Sequence, residues 1–396
     1  MKKRILKYTH AKKIFCLLIL LLVLIAVMPT CISVFSQTDE DEYSTLYDDT
    51  YTVLDNYDYS EVDKLIHDID SNLSFKEIIL GILNGNLNIE ADNILSYIFQ
   101  ILGIKLKSIM PICVAIILIA VAIKIISSFS PNIFKDGISN IINLVATCII
   151  IILIAKLVID INSQVYNTIN TMLVVINALF PIIITLMGVI GANASVSMYS
   201  PITAILNTAV ANIILKWLYP IYIISFVLIL ISGITNKIKL SKFIDFLSSL
   251  FKSIISLVFV IFGGVFAING ISSGKYDTIS VYTTKFAIKN YIPLIGSYIS
   301  DGFNYLVLSS ILVKNAIGLA GIVIIFVMLL SPLIHIMLVK LALSFVASIT
   351  DMFDNTTSNI MTQVSKILAF PIAMIAGVAF MFVMTLALAV MSANII

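Results

Sequence analysis

Residues 276–321, YDTISVYTTKFAIKNYIPLIGSYISDGFNYLVLSSILVKNAIGLAG, are too polar for an ordinary membrane span, although strongly apolar blocks flank them. Lys285 shares a helix face with the lysine four positions later. Pro293 lacks a backbone N–H group and therefore breaks or kinks a helix at that point. After it, apolar residues recur at helical spacing, with Asp301 turned away from them. The segment 276–315 is therefore predicted to be two amphipathic helical pieces broken near Pro293.

Two interpretations of this broken element remain open. In the first it is an interfacial helix that lies flat on the bilayer, as amphipathic helices with charged faces do. In the second it is a broken or re-entrant element that faces a cavity lined by protein, because irregular backbone at membrane depth needs such cover.

An ordered set of residues in this stretch resembles the signature of the stage III sporulation protein AE family. The set comprises Lys285-Phe286, Asn290 to Gly296, Asp301, Leu312 to Gly318 and Gly321, with a weaker echo at residues 83–86. The resemblance extends from the N-terminal signal to the last apolar block. It makes the following residues candidates for functional or packing roles: Lys285, Asn290, Pro293, Gly296, Asp301, Lys314, Asn315, Gly318 and Gly321.

The resemblance implies a non-enzymatic membrane subunit of a multi-protein sporulation channel complex that links mother cell and forespore and is required for late forespore development. It implies partners among the other proteins of the same stage III sporulation operon, and a location in the mother-cell membrane around the forespore. The alternative function is a stand-alone secondary transporter of an unknown small solute. Such a transporter would have paired broken helices in two repeats, whereas the sequence shows one such element. Gene neighbourhood would discriminate between the two functions.

The composition is typical of a polytopic membrane protein. Apolar residues make up 60% of the 396 positions and charged residues 12%, whereas soluble domains carry about 25% charged residues. The predicted fold class is all-α, with about 7–8 membrane helices, an N-terminal signal sequence and a small helical extracytoplasmic region. The lipid bilayer is therefore an expected partner. Nucleic acid is not expected as a partner, because no basic patch is interleaved with aromatic residues.

The first 59 residues are predicted to precede the folded part of the chain. Residues 1–36 are interpreted as a signal peptide, because a basic segment precedes an apolar run, 14–28, that is short for a span. An uncleaved signal anchor is the alternative, and in both cases the positive-inside rule leaves the N-terminal region outside the cytoplasm. Residues 37–59 are acidic and are predicted to be a disordered leader.

Residues 60–105 are predicted to form the small extracytoplasmic helical region. Ser74 and Glu77 have the spacing of a capping box, which would begin a helix that continues to Leu83. The sequence Asn-Gly-Asn at 84–86 would end that helix. A further helix is predicted to start near Ile89 and to run toward the membrane.

Seven apolar blocks follow in the predicted polytopic membrane domain, residues 106–396. They are 108–127, 138–159, 172–191, 202–232, 254–270, 316–339 and 367–391. The block 202–232 is too long for one upright helix, and its centre holds residues typical of interfaces and turns. A helical hairpin is therefore predicted near 216–220, which gives about eight membrane helices and places 236–252 in the cytoplasm and 271–315 outside.

The sequence does not predict an enzyme, a cofactor or a metal site. It contains no motif that combines a nucleophile, a base and an orienting group, and its four cysteines lack metal-ligand spacing. His335 is interpreted as a hydrogen-bonded packing residue rather than a proton relay, which would need an acidic partner. Membrane asparagines such as Asn207 are predicted to form hydrogen bonds between helices.

Overall fold

The computed structural model describes residue 63 and residues 74–83, 91–129, 136–234, 240–291 and 296–392. Within these ranges the chain is helical between short turns and contains no β-strand, which confirms the all-α class. The helices are α1 (Phe75–Leu83), α2 (Ala91–Phe129), α3 (Asp136–Ile190), α4 (Asn193–Ile213), a π-helical turn (Ile214–Leu218), α5 (Tyr219–Ile234), α6 (Ser241–Tyr291), α7 (Gly296–Thr350), α8 (Asn355–Ile367) and α9 (Ala369–Met391). The predicted signal peptide 1–36, the leader 37–59 and the helix stop at 84–86 lie outside the described residues.

Helix α1 begins at the predicted capping box. The Ser74 hydroxyl oxygen accepts the Glu77 N–H at 3.2 Å, and the Glu77 carboxylate accepts the Ser74 N–H at 3.0 Å. Both bonds satisfy N–H groups that have no partner inside the helix. Phe75 and Ile79 of α1 are fully buried, and the helix packs against α7. The short helix before the first long one is therefore part of the same packed body.

Helix α7 is the central helix of the bundle, because α1, α2, α3, α6, α8 and α9 all contact it. Helix α3 lies antiparallel to α7. Gln164 of α3 contacts His335, and Leu179, which is farther along α3, contacts the earlier residue Gly321 of α7. The two helices therefore pack against each other over residues 164–179 of α3 and 321–335 of α7.

After α7 the chain turns at residues 351–354 and returns along the same helix as α8 and α9. The Asp354 side chain caps α8 by accepting the N–H groups of Thr356 and Thr357 at 3.0 and 3.1 Å, as expected of aspartate at an N-cap. The Ser358 hydroxyl then donates to the Ala347 carbonyl at 2.9 Å, and the Ser365 hydroxyl donates to the Lys340 carbonyl at 3.0 Å. These bonds fix the antiparallel register of the return segment.

The predicted hairpin at 216–220 is wrong, because the chain stays helical from Asn193 to Ile234. The backbone widens there into the π turn, in which the Tyr219 N–H bonds the Ile214 carbonyl five residues back. Pro220, the second residue after the π turn, has no N–H to give. A widened turn accommodates that loss without reversing the chain. The hairpin was the basis for placing 236–252 in the cytoplasm and 271–315 outside, and the structure removes that basis.

The blocks 138–159 and 172–191, predicted as separate spans, are two parts of the continuous helix α3. Likewise, α2 includes both the helix predicted near Ile89 and the block 108–127, so it crosses the predicted boundary at 105. Six candidate membrane spans are long and apolar enough among the described residues, fewer than the sequence suggested. Periodicity and hydropathy do not distinguish a turn from a polar segment of one long helix, because both interrupt an apolar run.

The predicted break near Pro293 concerns residues that lie between α6 and α7. Helix α6 ends at Tyr291 and α7 begins at Gly296, and residues 292–295 lie outside the described residues. The two pieces are the ends of helices of 51 and 55 residues. They are therefore extensions of long helices rather than a separate short element.

Candidate functional site

Lys314 is the best-described member of the predicted residue set, and its side chain is fully buried. Its Nζ atom donates to the carbonyl of Val390 at 3.1 Å and to the carbonyl of Ser392. A buried ammonium group must be matched by acceptors, because loss of hydration otherwise disfavours the charge strongly. Both of these acceptors come from the C-terminal end of α9.

The end of α9 is a suitable acceptor for a cation. The last carbonyl groups of a helix have no N–H partner inside the helix, and the aligned peptide dipoles make this end electronegative. Ser392 leaves the helix with extended backbone, while its hydroxyl donates to the Ala389 carbonyl at 2.9 Å. Lys314 therefore caps α9 from a neighbouring helix.

Gly318 and Gly321 allow α9 to approach the same face of α7. They follow Lys314 by four and seven residues, which places all three on one side of the helix. A Cβ atom at Gly318 would clash with Val390, and one at Gly321 would lie 2.6 Å from Leu179 and 3.0 Å from Leu386. Glycine at these two positions makes room for the neighbouring helices.

Two polar atoms of the same part of α7 are buried without a hydrogen-bond partner in the described part of the chain. They are the Asn315 side-chain oxygen and the Ser309 hydroxyl. Asn315 follows Lys314 directly, so the face of α7 next to the Lys314 cap is also polar.

The structure brings together only part of the predicted set. Lys314, Gly318 and Gly321 lie against α9, with Asn315 beside them. Gly296 is the first residue of α7. Lys285 and Asn290 belong to α6 and Asp301 to α7, but their side chains lie outside the described part, as does all of Pro293.

A second polar cluster lies near the middle of the bundle. The sequence predicted no contact between its members. The His335 Nδ1 atom is 2.7 Å from the Gln164 side-chain oxygen, so the hydrogen bond predicted for this histidine is present. The Tyr219 hydroxyl donates to the Asn162 carbonyl at 3.4 Å. Tyr222 is fully buried, and its hydroxyl has no hydrogen-bond partner among the described residues.

The sequence held two usable signals for this second cluster. The segment from Asp160 to Thr171 is a polar interruption between two apolar blocks, and Lys216-Trp217 is another. Their contact could not be predicted, because Gln164 and His335 are 171 positions apart. A third interhelical bond, from the Thr385 hydroxyl to the Asn207 side-chain oxygen at 3.2 Å, confirms the role predicted for Asn207.

These groups are arranged for packing between helices. A lysine caps a helix end, an amide bonds an imidazole, and a hydroxyl bonds an amide, each across two helices. Among the described residues there is no group of three or more histidine, cysteine, aspartate or glutamate side chains that could hold a metal ion.

Comparison with known proteins agrees with the residue signature. The sequence model of the family "Stage III sporulation protein AE" matches residues 73–393. The Stage III sporulation protein AE of Bacillus subtilis (strain 168) is 24% identical over 230 residues, which is 58% of this chain and 58% of that relative. No solved structure matches the chain. Because the family match covers most of the sequence, including the Lys314 contact with α9, the chain belongs to the stage III sporulation protein AE family.

Proposed function

We propose that this chain is a non-enzymatic membrane subunit of the multi-protein channel complex that links mother cell and forespore during sporulation. The observation that carries the proposal is the family match over residues 73–393 in a chain whose described part has six candidate membrane helices. The family indicates a role in sporulation. The helices indicate that the role is performed in a membrane.

The polar contacts support a role in assembly rather than in chemistry. The buried lysine caps a helix, and the buried histidine bonds an amide of a neighbouring helix. Hydrogen bonds of this kind hold membrane helices in a fixed arrangement. In this proposal the chain contributes membrane structure to the complex, and other subunits contribute the energy.

The partners in this proposal are the other proteins of the same stage III sporulation operon, together with the lipid bilayer. The location is the mother-cell membrane around the forespore, with the N-terminal region outside the cytoplasm. The basic residues at the start of the chain support that orientation.

Deletion and capture test the proposal in the endospore-forming host. A strain without this chain should complete engulfment but yield few heat-resistant spores, and an epitope-tagged copy should restore the yield. The tagged copy, crosslinked and purified from sporulating cells, should carry other products of the operon. Normal sporulation of the deletion strain would refute the proposal. Full function of the chain without the rest of the operon would favour the stand-alone transporter instead.

A further inference from the structure

Helix α3 is too long to be covered by one bilayer. Its apolar part, Ile141–Ile190, has 50 residues and is therefore about 75 Å long at a rise of 1.5 Å per residue. The hydrocarbon core is about 30 Å thick, and about 40–45 Å with headgroups. Even at a tilt of about 40° the helix would project about 57 Å along the membrane normal. A membrane surface must therefore cross α3 somewhere within its apolar length.

Six exposed side chains lie at one height near the middle of the bundle. We call them the mid-height belt, and they are Asp160 and Tyr166 of α3, Lys216 and Trp217 of the π turn, Lys252 of α6 and Lys366 of α8. They come from four separate elements, although each element also carries apolar residues suited to lipid.

The first part of the alignment joins α3 to the π turn. The Tyr219 hydroxyl contacts the Asn162 carbonyl, and the Tyr219 ring lies 6.0 Å from the Tyr166 ring between centroids. Trp217 precedes Tyr219 by two residues. Since α4 and α5 form one continuous path alongside α3, Trp217 lies at the height of the segment from Asp160 to Tyr166.

The second part joins α7, α8, α9 and α6. His335 contacts Gln164 of α3. The Lys340 carbonyl, about one and a half turns farther along α7, accepts the hydroxyl of Ser365, which precedes Lys366. Phe370, one turn beyond Lys366, stacks on Phe251 with ring centroids 4.0 Å apart, and Lys252 follows Phe251. The whole belt therefore lies within about two helical turns, or about 11 Å.

The residue types of the belt are those of a membrane–water interface. Tryptophan and tyrosine are enriched at headgroup level because their rings are partly apolar and partly polar. Lysines there extend their amines into water. Trp217, the single tryptophan of the chain, is 67% exposed, and Tyr166 is 46% exposed.

The interior at this height is polar as well. The hydrogen bond between Gln164 and His335 lies at this height. The buried side-chain oxygen of Asn162 and the hydroxyl of Tyr222 lie here too, and neither has a hydrogen-bond partner among the described residues. Such groups are unfavourable in the middle of hydrocarbon, where water is absent. They are tolerated far better where water reaches the protein.

We propose that the mid-height belt binds the headgroup layer of a lipid bilayer, so that the membrane surface crosses α3 between its two apolar parts. One apolar part of α3 is then embedded in hydrocarbon, and the other lies beyond the membrane surface. The interface residues at 216–220 then lie at the membrane surface within a continuous helical path. They do not indicate a turn of the chain.

Fluorescence of Trp217 tests the proposal in the native full-length chain. The protein is reconstituted into phosphatidylglycerol and phosphatidylcholine vesicles that contain lipid spin-labelled either at the headgroup or deep in the acyl chain. We expect the headgroup label to quench Trp217 at least twofold more strongly than the deep label. Stronger quenching by the deep label, or no quenching by either label, would overturn the proposal.

Two matched variants give an independent readout, because each again contains one tryptophan. In a Trp217→Phe background, Ile152→Trp and Val174→Trp place the probe on exposed positions of α3 on either side of the belt. We expect the deep label to quench one of the two variants strongly and the other hardly at all. Equal quenching of both variants would mean that no membrane surface crosses α3 between them.

Discussion

Lys314 has a fully buried amine within a largely apolar helix. An isolated charge of this kind would be among the most unfavourable groups in the bundle. Here the amine donates to two carbonyl oxygens at the end of α9, which lack partners within their own helix. The Lys314 amine therefore gains hydrogen-bond acceptors, and the terminal carbonyl groups of α9 gain a donor.

Replacement of Lys314 should measure this contribution. Lys314→Met keeps the length and apolar stem of the side chain but removes the donors. We expect the free energy of unfolding to fall by about 1.5–3 kcal/mol, the range for a hydrogen bond to a charged group. Chemical denaturation of the purified protein in detergent would measure it. The control is Lys242→Met, at an exposed position of α6. Equal denaturation midpoints for the two variants would show that the contact of Lys314 with the end of α9 does not stabilise the protein.

Gly318 should be sensitive to size rather than polarity. A side chain there meets Val390, whose branched Cβ cannot rotate away easily. We expect Gly318→Leu to destabilise the bundle by about 1–3 kcal/mol through overpacking and to lower the amount of protein in the membrane. Immunoblots of membrane fractions would measure that amount.

The matched control for Gly318 is Gly188 of α3, where no heavy atom lies within 4 Å of a built Cβ. Gly188→Leu should leave the protein level unchanged. A similar loss in both variants would show that helix propensity, rather than contact with α9, determines the effect.

At the scale of single residues, the sequence indicated which positions are special but not what they contact. Lys314, Gly318 and Gly321 were selected together through a family signature, and the structure places all three against α9. Val390, which contacts Lys314 and Gly318, is 76 positions downstream of Lys314. No local pattern relates two such positions, because their proximity results from the turn at 351–354.

At the scale of helices, the contact between α3 and α7 includes the bond between Gln164 and His335. We expect a double-mutant cycle with Gln164→Leu and His335→Leu to give a coupling energy of about 0.6 kcal/mol, and no more than about 1.7, as for other hydrogen bonds between membrane helices. The measurement is again unfolding in detergent.

The comparison cycle for this bond combines Gln164→Leu with Thr385→Val. Thr385 bonds Asn207 on a different pair of helices, so these two substitutions should be additive. A coupling energy of zero between Gln164 and His335 would mean that their hydrogen bond does not stabilise the helix contact.

The junction between α6 and α7 should affect function without affecting abundance. Asp301→Ala and Pro293→Ala alter the charge and the backbone near this junction. We expect both variants to reach the membrane at near-normal level, yet to lower the yield of heat-resistant spores at the stage after engulfment. Spore counts beside immunoblots would measure this. Normal spore yield in both variants would reject a functional role for these residues.

Hydropathy identified every described apolar segment but not how the segments are joined. The polar residues between 159 and 172 separated two predicted spans, and Lys216 to Pro220 suggested a turn. Both segments are helical in the structure. The energetic reason is that polar side chains at a bundle surface need not interrupt backbone hydrogen bonds, and a π turn tolerates the missing N–H of Pro220.

At the scale of the whole molecule, the N-terminal signal should be removed. The basic start and short apolar run predict cleavage after about Ser36, so the mature chain should begin near Gln37. N-terminal sequencing of the protein purified from membranes would determine its first residue. A chain that begins at Met1 or Lys2 would instead have an uncleaved anchor.

The Lys314 cap also has a consequence for the order of biosynthesis. Val390 is 76 residues downstream of Lys314, so at about 5–20 residues per second the ribosome makes it about 4–15 s later. Until Val390 and Ser392 are made, the amine lacks these two carbonyl acceptors, and the part of α7 after Lys314 is made within the same interval. The two hydrogen bonds of the cap therefore form only after the whole of α7 and α8 has been made. The arrival of α9 therefore completes the packing of α7, a helix made well before it.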